Sequence, residues 1–267
     1  MQSFLIIFTF CFGAIIGSFL NVVILRLPNN KTLTGRSHCP ACGKTLTVLE
    51  LFPVFSFLIQ RGRCRGCHIK ISSRYWIVEI FTGLLFAAAF YYLNPAGAAQ
   101  IVMLIKYWLV LAVLVAVFVI DLEHFLILDG IIFPACAAVL VLNIILDLTF
   151  HVKILSFQSH FISGIFAAAV LWLLFFSVWG LSSGRWLGFG DVKLAVLLGL
   201  ALGWPLILVG FMIAVLIGGV ASVYLLLFSN KTLKTQIPFG TFLALGTVFA
   251  LFYGDKLLNW YLALLGF

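Results

Sequence analysis

The sequence predicts an all-α polytopic membrane protein of about eight transmembrane helices, with one small polar insertion between the first and second. Three observations predict it. Hydrophobic residues make up 64% of the chain, charged residues 9%, and mean hydropathy is +1.23. No soluble domain of 267 residues has that composition. The apolar residues fall in runs long enough to cross a bilayer, and the basic residues gather in a few loops, as topology signals do.

The runs place spans at 3–25, 76–93, 101–120, 130–148, 160–181, 192–203, 205–228 and 239–261, of which the sixth is short. The first does not read as a cleavable signal peptide. It lacks a basic leading region and continues through Asn21-Val22-Val23-Ile24 with no small-residue cleavage site. Its Gly13-Ala14-Ile15-Ile16-Gly17 pattern is expected to pack helices within the bundle rather than to drive dimerisation. The chain thus divides into a first helix (1–26), a polar insertion (27–75) and a transmembrane core (76–267).

Orientation follows from Lys and Arg. Nine lie between Arg26 and Arg74, and alternating the spans places Arg185, Lys193, Lys231 and Lys234 on the same side. Only Lys106, Lys153 and Lys256 remain for the other. The basic side is expected to be cytoplasmic, with both termini outside. The net charge of +8 is then mostly a topology signal. Nucleic acid is not an expected partner, since no recognition fold is visible.

Four of the six cysteines read Cys39-Pro-Ala-Cys42 and Cys64-Arg-Gly-Cys67. Each pair presents two thiolates to one ion, and four complete a tetrahedral zinc site. A redox dithiol pair or four unligated thiols are the other readings. A reducing cytoplasmic loop disfavours disulfides, and no thioredoxin-like context surrounds either pair. Gly43 and Gly66 suit the tight turns of such knuckles. An insertion this small buries little core, so the metal would supply most of its folding energy. Cys11 and Cys136 read as packing residues in apolar helices, and His38 and His68 as exposed loop histidines.

The chain has eight acidic residues. Asp121 ends the apolar run 109–120, and Asp191 closes Gly188-Phe189-Gly190-Asp191. Carboxyl groups at the edge of a bilayer are costly and signal function by default. Two brought together share a proton and activate water: one carboxylate takes a proton from water while the other, protonated, polarises a carbonyl. The alternative is a solvated turn between helices. Asp129 is a second candidate partner for Asp191. Glu79 and Glu123 read either as helix-end charges or as contacts for a basic peptide.

Taken together these residues resemble the type IV prepilin peptidases, bifunctional membrane enzymes of pilus, secretion and competence systems. The resemblance rests on Gly17-Ser18-Phe19-Leu20-Asn21-Val22-Val23, the two cysteine pairs, Ile120-Asp121-Leu122-Glu123-His124 and Gly188-Phe189-Gly190-Asp191-Val192-Lys193-Leu194. It implies catalytic aspartates at Asp121 and Asp191 and a zinc site at Cys39, Cys42, Cys64 and Cys67. It further implies cleavage, after a glycine, of the basic leader of prepilins or pseudopilins at the cytoplasmic face of the bacterial inner membrane. N-methylation of the new N-terminal residue by S-adenosylmethionine would follow. The chain departs from the family at Leu128 and Trp76, where proline is common. A peptidase lacking the methyltransferase step, an aspartate-based cation transporter and a non-catalytic secretion scaffold are the competing functions. The last two leave the glycine-flanked aspartate or the intact pair without a purpose.

Overall fold

The computed structural model describes residues 2–39, 41–153, 156, 158–228 and 237–266. Among them, regular structure is helical apart from two isolated β-bridges. The helices are α1 (Gln2–Arg26), α2 (Phe55–Ile59), α3 (Arg74–Leu93), α4 (Ala98–His124), α5 (Asp129–Thr149), α6 (His160–Leu181), α7 (Phe189–Leu202), α8 (Leu206–Phe228) and α9 (Phe239–Leu264). They form two compact units, Met1–Asn94 and Pro95–Phe267.

Seven of these helices are long and apolar enough to cross a membrane. The expected sixth span, α7, is not one of them. Its 14 residues rise about 21 Å, against about 30 Å of hydrocarbon. Most of its surface is covered by protein: Val192, Leu194, Ala195, Leu197 and Leu198 are all buried. Gly199 of α7 lies so close to the Ala168 backbone of α6 that no Cβ fits between them. A second difference concerns α4. It runs past the end of the apolar stretch to His124, so Asp121 sits inside the last turns of the helix rather than after it.

In the first unit, small residues let α1 and α3 approach. A Cβ on Gly13 would fall 2.7 Å from Phe86 Cβ, and one on Gly17 would fall 2.8 Å from Glu79 Cα. The glycine pair therefore packs inside the unit. Polar side chains then tie the insertion to these helices. Asn21 Nδ2 donates to Tyr75 O at 2.9 Å, and Glu79 Oε2 accepts the Val54 N–H at 2.8 Å. Arg26, at the end of α1, donates to the carbonyls of Thr32, Leu33, Thr34 and Arg36 and so folds the departing chain around its guanidinium. Glu50 closes the next turn. It accepts from Thr47 N and Oγ1 and pairs with Lys44 Nζ at 2.8 Å.

In the second unit, the helices are pinned by long-range side-chain hydrogen bonds to main-chain carbonyls. Tyr107 Oη donates to Leu251 O at 2.9 Å, and Asn143 Nδ2 donates to Leu200 O at 3.0 Å. At the end of α5, Asp147 is fully buried. Its Oδ1 accepts His160 N at 2.7 Å and lies 2.9 Å from His160 Nδ1, while Oδ2 accepts Phe161 N at 3.0 Å. Asp147 thereby satisfies first-turn amides of α6 that have no partner within the helix. Buried Lys106 interacts electrostatically with it. Lys106 therefore belongs to the interior, beside a buried carboxylate.

Candidate active site and metal centre

Asp121 and Asp191 come together in the second unit although 70 residues separate them in the chain. Each is held at a helix end. Asp121 is buried in the last turns of α4, and its Oδ2 accepts Thr241 N at 2.8 Å and Thr241 Oγ1 at 3.1 Å. Thr241 is the third residue of α9, so its amide is among the N–H groups a helix start leaves unpaired. Asp191 lies at the equivalent third position of α7, whose entry residue Gly188 is extended and whose carbonyl accepts the Asp191 N–H at 3.1 Å. Both carboxyls thus sit at helix N-termini, where backbone dipoles favour negative charge. Charge–charge repulsion acts directly between them.

Two glycines explain how the backbones approach. A Cβ on Gly240 would fall 2.9 Å from Asp121 Oδ2 and 2.9 Å from Ile127 Cδ1. A Cβ on Gly190 would fall 2.9 Å from Ile127 Cβ. Ile127 therefore wedges between the starts of α7 and α9, and bare backbone on both sides lets the carboxyls face one space. At Gly188 a Cβ would lie 3.4 Å from Asp191 Oδ2, an ordinary contact.

The other acidic candidates are engaged elsewhere. Asp129 opens α5 and pairs with Lys193 Nζ at 2.6 Å, which also lies 5.1 Å from the Phe189 ring centre. Lys193 is thus a partner for Asp129. Glu79 is buried in the first unit, bonded to the Val54 amide. Glu123 is half-exposed, with His124 Nε2 4.0 Å away. Gly240 and Thr241 escaped the sequence reading. The stretch Ile237-Pro238-Phe239-Gly240-Thr241 does carry a helix-start signal, proline followed by glycine ahead of an apolar run. Nothing in it indicates that Asp121 is the group it meets.

In the first unit, Cys39, Cys42, Cys64 and Cys67 place their four sulfurs within 4.8 Å of one another. Cys39 Sγ and Cys67 Sγ are 3.9 Å apart, and all four thiols are free. Four sulfurs at about 2.3 Å from a central zinc are separated by about 3.8 Å, so the donor set fits that ion. The two pairs fold alike. Gly43 N donates to Cys39 O and Cys39 N to Lys44 O, each at 2.9 Å. His68 N donates to Cys64 O at 2.9 Å and Cys64 N to Ile69 O at 3.0 Å. Gly43 takes φ +70° at its turn, and the equivalent residue of the second pair is His68, at φ +59°. Gly66 has a different task from the turn expected of it. A Cβ there would meet Cys42 Sγ at 3.5 Å and Cys64 Sγ at 3.8 Å, and its N–H donates to Cys64 Sγ. Amides of Cys42 and Ala41 bring the Cys39 thiol down to about 6, and those of Cys67 and Gly66 lower that of Cys64. These donors favour the thiolate that a metal requires.

Comparison with known proteins covers both units. Residues 11–93 match the Bacterial Peptidase A24 N-terminal domain, and residues 108–223 match the Type IV leader peptidase family. A prepilin leader peptidase/N-methyltransferase of Aeromonas hydrophila is 34% identical over 95% of this chain and 92% of its own. Proteins of the same name from Bacillus subtilis and Pseudomonas aeruginosa are 29% and 28% identical, over 95% and 97% of this chain and 96% and 94% of their own. No solved structure gives a significant match. With paired aspartates in one matched segment, a four-sulfur cluster in the other, and a relative similar over nearly the whole length, this chain belongs to the type IV leader peptidase family.

Proposed function

We propose that this multi-pass inner-membrane protein removes the basic leader of type IV prepilins at the cytoplasmic face, with Asp121 and Asp191 as the catalytic pair, and then N-methylates the new N-terminus. One observation carries the reading: two carboxyls from α4 and α7 lie close enough to interact as like charges, each at a helix N-terminus. Neighbouring carboxylates of this kind hold one proton between them. The ionised member takes a proton from water as the water oxygen bonds the scissile carbonyl carbon. The protonated member gives its hydrogen bond to the carbonyl oxygen. Collapse of the tetrahedral adduct breaks the C–N bond, and a proton passes to the leaving amine. The roles belong to the pair as a unit. Thr241 holds Asp121 through Oδ2, which fixes the carboxyl while Asp191 approaches it.

S-adenosylmethionine would supply a methyl group to the freed amine. The direct test incubates the purified full chain with a prepilin and S-adenosylmethionine and weighs the product. Leader loss plus one methyl is expected, leader loss alone would remove the methyltransferase step, and an unchanged mass would reject the proposal.

Cys39, Cys42, Cys64 and Cys67 would hold one structural zinc. Zinc-free protein isolated without chelators would contradict this. For orientation, trypsin should cut at exposed Lys31 and Arg36 only in sealed vesicles whose cytoplasmic face is outward. Cutting only from the opposite face would put the insertion outside.

A further inference from the structure

The insertion between α1 and α3 presents an apolar face that its own fold leaves uncovered. Val48 and Leu49 are 79% and 76% exposed, and Phe52, Phe55, Leu58 and Ile59 are each more than half exposed. These residues are not part of a transmembrane helix. They lie on a 3₁₀ turn (Val48–Glu50), the bend after it, and the short helix α2. Six large apolar side chains grouped this way on a domain of this size mark a docking surface.

What borders the patch identifies the occupant. Ile59 also lines an open cleft of ≈ 540 Å³ whose other walls include Arg61, Arg63, Arg65 and His68. The apolar face and the arginine cleft are therefore continuous. All three arginines are exposed, and among the described residues none has a carboxylate within ion-pair distance. The one acidic residue of the insertion, Glu50, is buried against Lys44. The exposed charge of the insertion is therefore of a single sign. Apolar side chains beside unpaired arginines match a bilayer leaflet with anionic headgroups, where acyl chains and phosphates lie a few ångströms apart.

Tethering favours the same occupant. The chain leaves α1 at Arg26 and re-enters α3 at Arg74, and both helices are long and apolar enough to span. Both ends of the insertion are thus fixed at a membrane edge, which keeps the leaflet at high effective concentration beside the patch. We propose that the face formed by residues 48–59 docks on the anionic leaflet of the bilayer that holds α1 and α3, with a lipid phosphate seated among Arg61, Arg63 and Arg65. The zinc knuckle then acts as the rigid base that holds the arginine loop against the membrane.

The test uses the full chain in lipid nanodiscs, with the photo-cross-linker p-benzoylphenylalanine installed at position 55. Discs are made of phosphatidylcholine alone or of phosphatidylcholine with phosphatidylglycerol, and adducts are identified by mass spectrometry. A lipid adduct is expected, stronger in the anionic discs. Arg61→Gln and Arg63→Gln should each lower the docked-to-free ratio about fivefold, since a basic residue near an anionic surface contributes roughly that factor. Metal content should stay unchanged in both variants, which separates lost docking from lost folding. Absence of a lipid adduct would overturn the proposal. So would equal yields in the two kinds of disc, or an adduct that appears only when a prepilin is added.

Discussion

The two ends of the second unit both bury an aspartate at a helix start, yet they are built for different purposes. Asp147 is completely enclosed, and both of its oxygens are used: Oδ1 by His160, Oδ2 by the Phe161 amide. Lys106 supplies an opposite charge nearby. Asp121, toward the other end of the bundle, has both of its hydrogen bonds on Oδ2, and its charged neighbour is Asp191, of the same sign. Burial and capping are common to both. What separates them is the partner: a compensated carboxylate braces the fold, while a repelled one is available for proton transfer.

Three perturbations test that contrast. The largest concerns Asp147→Asn. Removing its charge takes the opposite charge away from buried Lys106 and costs one α6 first-turn amide its acceptor, an effect of about 1–3 kcal/mol. A lower unfolding temperature is expected, with leader cleavage per folded molecule unchanged. Lost cleavage at unchanged stability would place Asp147 in the reaction instead. Next is Gly240→Ala. The new methyl would press on Asp121 Oδ2 and Ile127, and a carboxyl displaced by part of an ångström should slow cleavage about 10²-fold. A rate within a few-fold of wild type would show that the approach of α9 does not position Asp121.

The smallest effect belongs to the first unit, where Glu50 is also a bracing carboxylate. Lys44, together with the Thr47 amide and hydroxyl, holds its carboxyl down at about 2, from 4.5. A depressed folded value means the stabilisation is complete above pH 4.5 and is lost as pH falls toward 2. The difference in protease resistance between wild type and Glu50→Gln should therefore be constant above pH 4.5 and close below it. A difference that instead grew on acidification would contradict the pairing with Lys44.

Local features were legible in the sequence and remote ones were not. Each cysteine pair is a four-residue turn, so spacing alone indicated four sulfurs around one ion. The finer assignment of its glycines failed because the left-handed turn of the second pair is taken by His68, while Gly66 is packed against the Lys44 side chain and gives its N–H to Cys64 Sγ. Hydropathy located the long helices and marked the sixth as short, and α7 does end early, at Gly203 with φ +71°. Asp121 and Asp191 stood out as carboxyls at membrane edges. Thr241, 120 residues beyond Asp121, did not, since a helix start carries no mark of what it will cap. Likewise Asp129 competed with Asp121 until the Lys193 pairing placed it on another contact.

The central claim is that cleavage needs two ionisable carboxyls facing each other, and one measurement addresses it most directly. Purified Asp121→Asn and Asp191→Asn proteins, each checked for wild-type unfolding temperature, are mixed with prepilin and sampled over time by mass spectrometry. Each variant should cleave slower by a factor on the order of 10³ or more, because either change removes a proton carrier the reaction requires. Near-normal leader loss in both variants would contradict the account.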